Sequence, residues 1–162
     1  TQPVYFVLGN HDYYGGSIAG IHRVARGLKE AGLHWLPEAA CVEVASGVGL
    51  VGHGGWGDVR HGNHENSPVM LTDYFVISDL RMAYDTENDD MTLGSQPELK
   101  EKLRALGRES AAILRPLLQE AADRFDQVIV LTHVPPFPEA AWHEGEHSSP
   151  DWQPGCTCRD MG

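Results

Sequence analysis

The chain has 162 residues, with 12 Lys and Arg against 23 Asp and Glu and a formal net charge of -11. That length suits one domain with a real core, and the acidic balance argues against nonspecific binding to nucleic acid or to an anionic membrane surface. A phosphate substrate stays open, because cations can reverse the local field of a site. Cys41, Cys156 and Cys158 form no even framework, and the C-x-C pair lacks the second half of a zinc site, so reduced thiols in a cytoplasmic setting are expected. No stretch approaches the length of a membrane span.

Residues 4–8, VYFVL, are apolar without polar alternation, which predicts an inner strand covered on both faces. The run stops abruptly at Gly9, Asn10, His11 and Asp12. Ser17 is placed to cap a helix reaching about Gly32, with Ile18, Ile21, Val24, Ala25 and Leu28 on one face and Gly32 as its stop. Strand material follows around Trp35, and runs at 41–44 and 48–51 flank a Ser-Gly turn, which predicts an antiparallel hairpin. Residues 56–68 are rich in Gly, Asp, His and Asn and are expected to form a surface loop.

Residues 73–84 read as a helix with Phe75, Ile77, Leu80 and Met82 as its apolar positions, followed by a solvated acidic loop at 85–91. The longest helix is expected over 97–125, where Leu99, Leu103, Leu106 and Leu114 return at helical spacing and Gly107 and Pro116 weaken or kink it. Residues 128–131 make a second apolar strand, ending in Thr132, His133, Val134, Pro135 and Pro136. This element order is α/β, with ligands expected beyond the carboxyl ends of strands.

Two strands therefore end with a His just past an apolar run. Taken alone, Gly9 to Asp12 also reads as a tight turn, since Gly and Asn tolerate positive φ and Asp bonds nearby N–H groups. With His133 added, an amide oxygen and a neutral imidazole together suit borderline divalent ions better than calcium.

GNHD after the first strand and LTHVPP after the later one resemble the calcineurin-like metallophosphoesterases. The intervening GLVGHGGWGD is similar to a strand and loop of bacterial members. The resemblance implies a four-layer α/β/β/α sandwich of two mixed sheets flanked by helices. It also implies two divalent metal ions (Mn, Fe or Zn) and a small phosphate monoester or diester hydrolysed by a metal-activated water. Asn10 and His133 correspond to ligands of the second metal, His11 to the catalytic imidazole at the leaving oxygen, and Asp12 to the carboxylate that orients it.

The family's D-x-H and G-D-x-x-D would precede Thr1, and its G-H-x-H would follow Gly162. The resemblance therefore implies a single partial domain over residues 1–162, the middle of a catalytic domain. A noncatalytic scaffold that keeps the phosphoesterase core for binding is the rival reading. Without flanking strands, apolar sheet edges are expected to be exposed and to favour self-association.

Trp56 and His143 are candidate substrate contacts. His53 either lines a pocket or is a hydrogen-bonded structural histidine, and Trp56 and Asp58 share that ambiguity. His143 and His147 have the spacing of a zinc-binding pair on a helix, yet Gly145 interrupts it and a substrate-shaping loop is the other reading. The C-x-C cysteines lack the C-x-x-C spacing of a redox pair.

Overall fold

The computed structural model describes residues 2–88, 90 and 92–162. Strand β1 (Val4–Phe6) pairs in parallel with β2 (Leu33–Trp35). Between them Ser17 caps α1 (Ile18–Gly27), its hydroxyl accepting the Gly20 N–H, and a 3-10 turn at Leu28–Ala31 leads to Gly32, which stops it at φ 81°. The buried face of α1 is narrower than its pattern predicts: Ile18 and Ala25 are buried, while Val24 is exposed.

A single turn, α2 (Leu36–Ala39), leads into the predicted hairpin of β3 (Val42–Ala45) and β4 (Val48–His53), which reverses at Gly47 with φ 74°. Strand β4 pairs on its other side, in parallel, with β5 (Gln127–Thr132), so that His53 stands opposite Thr132. The sheet order β3-β4-β5 puts β5 at an edge, and β1 lies in a separate two-stranded sheet. This corrects the expectation of two inner strands. Val4 and Ile129 are each 51% exposed, and Leu131 is 37% exposed. An unalternating apolar run carries no signal about a neighbour alongside, nor about what covers each face of the strand.

The helix expected over 73–84 is two single turns, α3 (Asp73–Val76) and α4 (Ser78–Arg81), broken at an extended Ile77. The break is stabilised from outside: Val76 C=O accepts the Gly15 N–H, the Ser78 N–H donates to Gly16 C=O, and Ile77 itself is fully buried. The expected acidic loop includes Asp89 and Met91, which lie outside the described residues.

Helix α5 (Pro97–Arg124) runs unbroken through Gly107 and Pro116 and buries Leu99, Leu103, Leu106 and Leu114. Gly107 is where Asp58 packs against the helix; a Cβ there would lie 2.6 Å from the Asp58 Cβ. Packing thus overrides propensity at this glycine.

The segment 56–68 is a surface loop only in part: Gly62, Glu65, Asn66 and Pro68 are exposed. Trp56, Asp58, Val59 and Ser67 are buried, and the segment is stitched to the end of the chain. Asp58 and Val59 N–H donate to Thr157 and Pro154 C=O, Asn63 N–H donates to Pro150 C=O, and the Ser67 hydroxyl donates to Asp151 C=O. Irregular backbone can be buried when its polar groups find such partners, and nothing local in the sequence announces a partner ninety residues away. The remaining elements are a two-residue-per-strand hairpin, β6 (Trp142–His143) with β7 (Glu146–His147), and the single turn α6 (Gln153–Cys156). Among the described residues no helix is long and apolar enough to cross a membrane.

Candidate active site

Gly54, just past β4, brings the two strand ends together. Its carbonyl accepts the N–H groups of His133 and Val134 at 3.1 and 2.8 Å, which fixes the exit of β5. Its other side faces the exit of β1 so closely that a Cβ would lie 2.0 Å from the Leu8 carbonyl oxygen. Only a glycine permits that approach. One residue beyond Leu8, Gly9 gives its open side to the His133 ring, where a Cβ would stand 3.0 Å from Cε1.

Asn10 and His133 consequently meet: His133 Nε2 lies 2.9 Å from Asn10 Oδ1. Asn10 is half-buried at the start of the 3-10 turn Asn10–Tyr13, whereas His133 is exposed. The Asn10 amide nitrogen donates to both oxygens of Asp73 at 2.9 Å, and the Tyr14 hydroxyl donates to Asp73 Oδ1 at 2.7 Å. Asp73 is buried. The Tyr14 hydroxyl is pushed up to about 12, by desolvation first and then by its bond to Asp73.

His11 is exposed, with its ring 4.7 Å from that of Tyr14. Asp12 departs from the role the resemblance implies. Its Oδ2 accepts the Gly9 N–H at 2.8 Å, closing its own turn, and no hydrogen bond joins it to His11. A backbone donor three residues earlier is the nearest partner for a carboxylate at this position of a tight turn.

A cavity of about 600 Å³ opens beside the pair, lined by Asn10, Asp73, Trp56, His133, Trp142 and Cys156 among others. Trp56 reaches it with one edge but is otherwise core, its ring 4.9 Å from Tyr13. His143 does not line it; the neighbouring Trp142 does. His143 and His147 lie on the β6–β7 hairpin rather than on a helix, and His147 stands opposite Trp142, so they form no helical ligand pair. His53 does both things expected of it: it lines a small separate cavity with His22 and Trp35, and it is a buried, hydrogen-bonded histidine whose Nδ1 accepts the Gly55 N–H at 3.0 Å and whose pKa burial, reinforced by His22, holds down to about 4. His61 meets the Thr157 hydroxyl at 3.2 Å and His64 meets Glu65 at 3.1 Å, away from the cavity lining.

The donor set fits part of a metal centre. Asn10 Oδ1 and His133 Nε2 converge as two ligands of one divalent ion would, and oxygen with imidazole nitrogen suits a borderline cation. Among the described residues no cluster of three or more His, Cys, Asp or Glu accompanies them. The residues that sequence reading missed are Asp73, Tyr14 and Trp142. Asp73 reads in sequence as an acidic residue in a first helical turn, a common placement that hides any second role.

The strand ends of this α/β protein bring an amide oxygen and an imidazole together at one cavity. The family model described as calcineurin-like phosphoesterase matches residues 1–157, and the chain belongs to that family. No curated protein and no solved structure matches it.

Proposed function

We propose that this chain carries the central part of a metal-dependent phosphoesterase site, acting on a small phosphate monoester or diester within the four-layer sandwich of its family. The observation that carries this reading is the 2.9 Å approach of Asn10 Oδ1 and His133 Nε2 at the rim of a 600 Å³ cavity, a size suited to a small ligand. Asn10 and His133 would hold one ion, of Mn, Fe or Zn type. When bound, the family's metal pair supplies Lewis acidity that neutralises phosphoryl charge and activates water.

The chain's own residues do the rest. His11, exposed and adjacent to Asn10 in the chain, would protonate the leaving oxygen. Tyr14 packs on its ring and limits its orientation. Trp56 and Trp142 supply apolar walls that hold the organic part of the substrate.

The test is hydrolysis of chromogenic monoester and diester substrates with added Mn²⁺, comparing the chain with an Asn10→Ala/His133→Ala double variant. Turnover that disappears in the double variant supports the reading; full retention refutes it. The second reading is a noncatalytic scaffold, in line with the finding that, among the described residues, no group of three or more His, Cys, Asp or Glu gathers to hold an ion. Mn²⁺ binding with no turnover on either substrate class, in a folded chain, would select it.

A further inference from the structure

We propose that Asp73, braced by Tyr14, is the positioning residue that decides which end of the Asn10 amide faces the cavity and, through it, which nitrogen of His133 carries the proton. The inference rests on reading Asn10 and His133 as ligands of one ion.

An Asn side chain has a donor end and an acceptor end of nearly the same shape, so packing alone cannot orient it. Asp73 can, because an ionised carboxylate only accepts. Both of its oxygens lie 2.9 Å from Asn10 Nδ2, which leaves Oδ1 turned toward His133. The flipped amide would set an oxygen against two carboxylate oxygens at that distance with no proton between them. It would also set an NH2 group against His133. Asp73 cannot swing away into water, since it is 6% exposed and its Oδ1 takes the Tyr14 hydroxyl at 2.7 Å.

The backbone supports the same geometry. Asp73 opens α3, and the break at Ile77 that ends this turn is docked through Val76 and Ser78 onto Gly15 and Gly16. The element carrying Asp73 is therefore tied to the loop that follows Asn10. Protons then run one way, from Tyr14 and Asn10 to Asp73 and from His133 Nε2 to Asn10 Oδ1. His133 Nε2 is the protonated nitrogen of the cation-free imidazole, because the oxygen facing it has no proton to give, and an ion would be ligated by Nε2 only with that proton moved to Nδ1.

The experiment compares the full chain with Asp73→Asn, Tyr14→Phe and the exchange variant Asn10→Asp/Asp73→Asn. It reads the ¹⁵N shifts of His133 without metal, Mn²⁺ affinity by calorimetry, and the thermal midpoint. In the wild type, Nε2 should show the shift of a protonated nitrogen. Asp73→Asn should move it toward the tautomer average and, by releasing the Asn10 amide so that Oδ1 no longer faces the ion, weaken Mn²⁺ binding by about ten-fold or more. The exchange variant should return the Nε2 signal, because an amide at position 73 can donate to a carboxylate at position 10. Tyr14→Phe, at an exposed position, should shift Nε2 in the same direction by less.

A purely structural Asp73 would lower the thermal midpoint and leave the Nε2 signal in place, and that result overturns the proposal. Should Asp73→Asn fail to fold, an unchanged Nε2 signal in Tyr14→Phe overturns it equally. A wild type that binds no Mn²⁺ but whose Nε2 signal responds to Asp73→Asn supports the positioning role and refutes the ligand reading instead.

Discussion

His133 Nε2 stands 2.9 Å from Asn10 Oδ1 across a sequence separation of 123 residues. Gly54 sets that meeting, holding the exit of β5 by its carbonyl and the exit of β1 by the absence of a Cβ. Gly54→Ala should therefore push the two strand ends apart, cost about 3 kcal/mol as an overpacked backbone contact, and disrupt the Asn10–His133 pair. Denaturant unfolding and the His133 ¹⁵N shifts check the two effects together. A variant of wild-type stability with an unperturbed His133 would show that Gly54 does not set the spacing.

Two helical glycines make opposite predictions. Gly107→Ala gains about 1 kcal/mol of helix propensity. It also places a Cβ 2.6 Å from the Asp58 Cβ on a fully buried residue, so the net change is expected to be destabilising. Gly27, at the end of α1 with φ -66° and no atom within 4 Å of an added Cβ, should accept alanine with a gain of about 0.5 to 1 kcal/mol. Chemical denaturation of both variants compares the signs directly.

Acid sensitivity should come in part from His53. Its pKa falls from 6.5 in the unfolded chain to about 4 in the fold because burial disfavours the cation and His22 nearby adds to this. The unfolded state therefore binds more protons between those values, so the stability is fully present above pH 6.5 and is lost as pH falls toward 4, by up to about 3 kcal/mol. His22, also held down by burial, steepens the same limb. Thermal midpoints of wild type and His53→Gln across pH 4 to 7 should show a shallower acid limb in the variant; parallel curves would remove His53 from the account.

Self-association should run through the free edge of β5. The strand QVIVLT has no charged residue or proline to block pairing, and Ile129, Val130 and Leu131 are all exposed. Sedimentation velocity over a concentration series is expected to show association that Ile129→Lys suppresses. A monomer at every concentration would contradict this and indicate that the net charge of -11 keeps copies apart.

Where backbone chemistry is local, the sequence shows it directly. Ser17 as a cap, Gly32 as a stop, the Gly47 hairpin and the helix opened by Pro97 are each set by residues within a few positions of the feature. The placement of Asn10 and His133 just past apolar runs is also legible, and the family that the two segments resemble is the one whose model matches residues 1–157.

Tertiary structure decided the rest, and each case turns on a partner far along the chain. The polar segment at 56–68 is partly buried because residues 150–157 satisfy backbone groups of Asp58, Val59 and Asn63. The helix at 73–84 breaks at Ile77 because Gly15 and Gly16 supply hydrogen bonds that compensate for the break. Asp12 closes its own turn instead of backing His11, while Asp73, sixty-three positions from Asn10, takes the amide. The sequence by itself determined which polar side chains follow the apolar runs and which backbone positions can turn. Which donor faces which acceptor was decided only by the fold, because hydrogen-bond direction depends on the group brought opposite, and that group is chosen by packing rather than by neighbours in the chain.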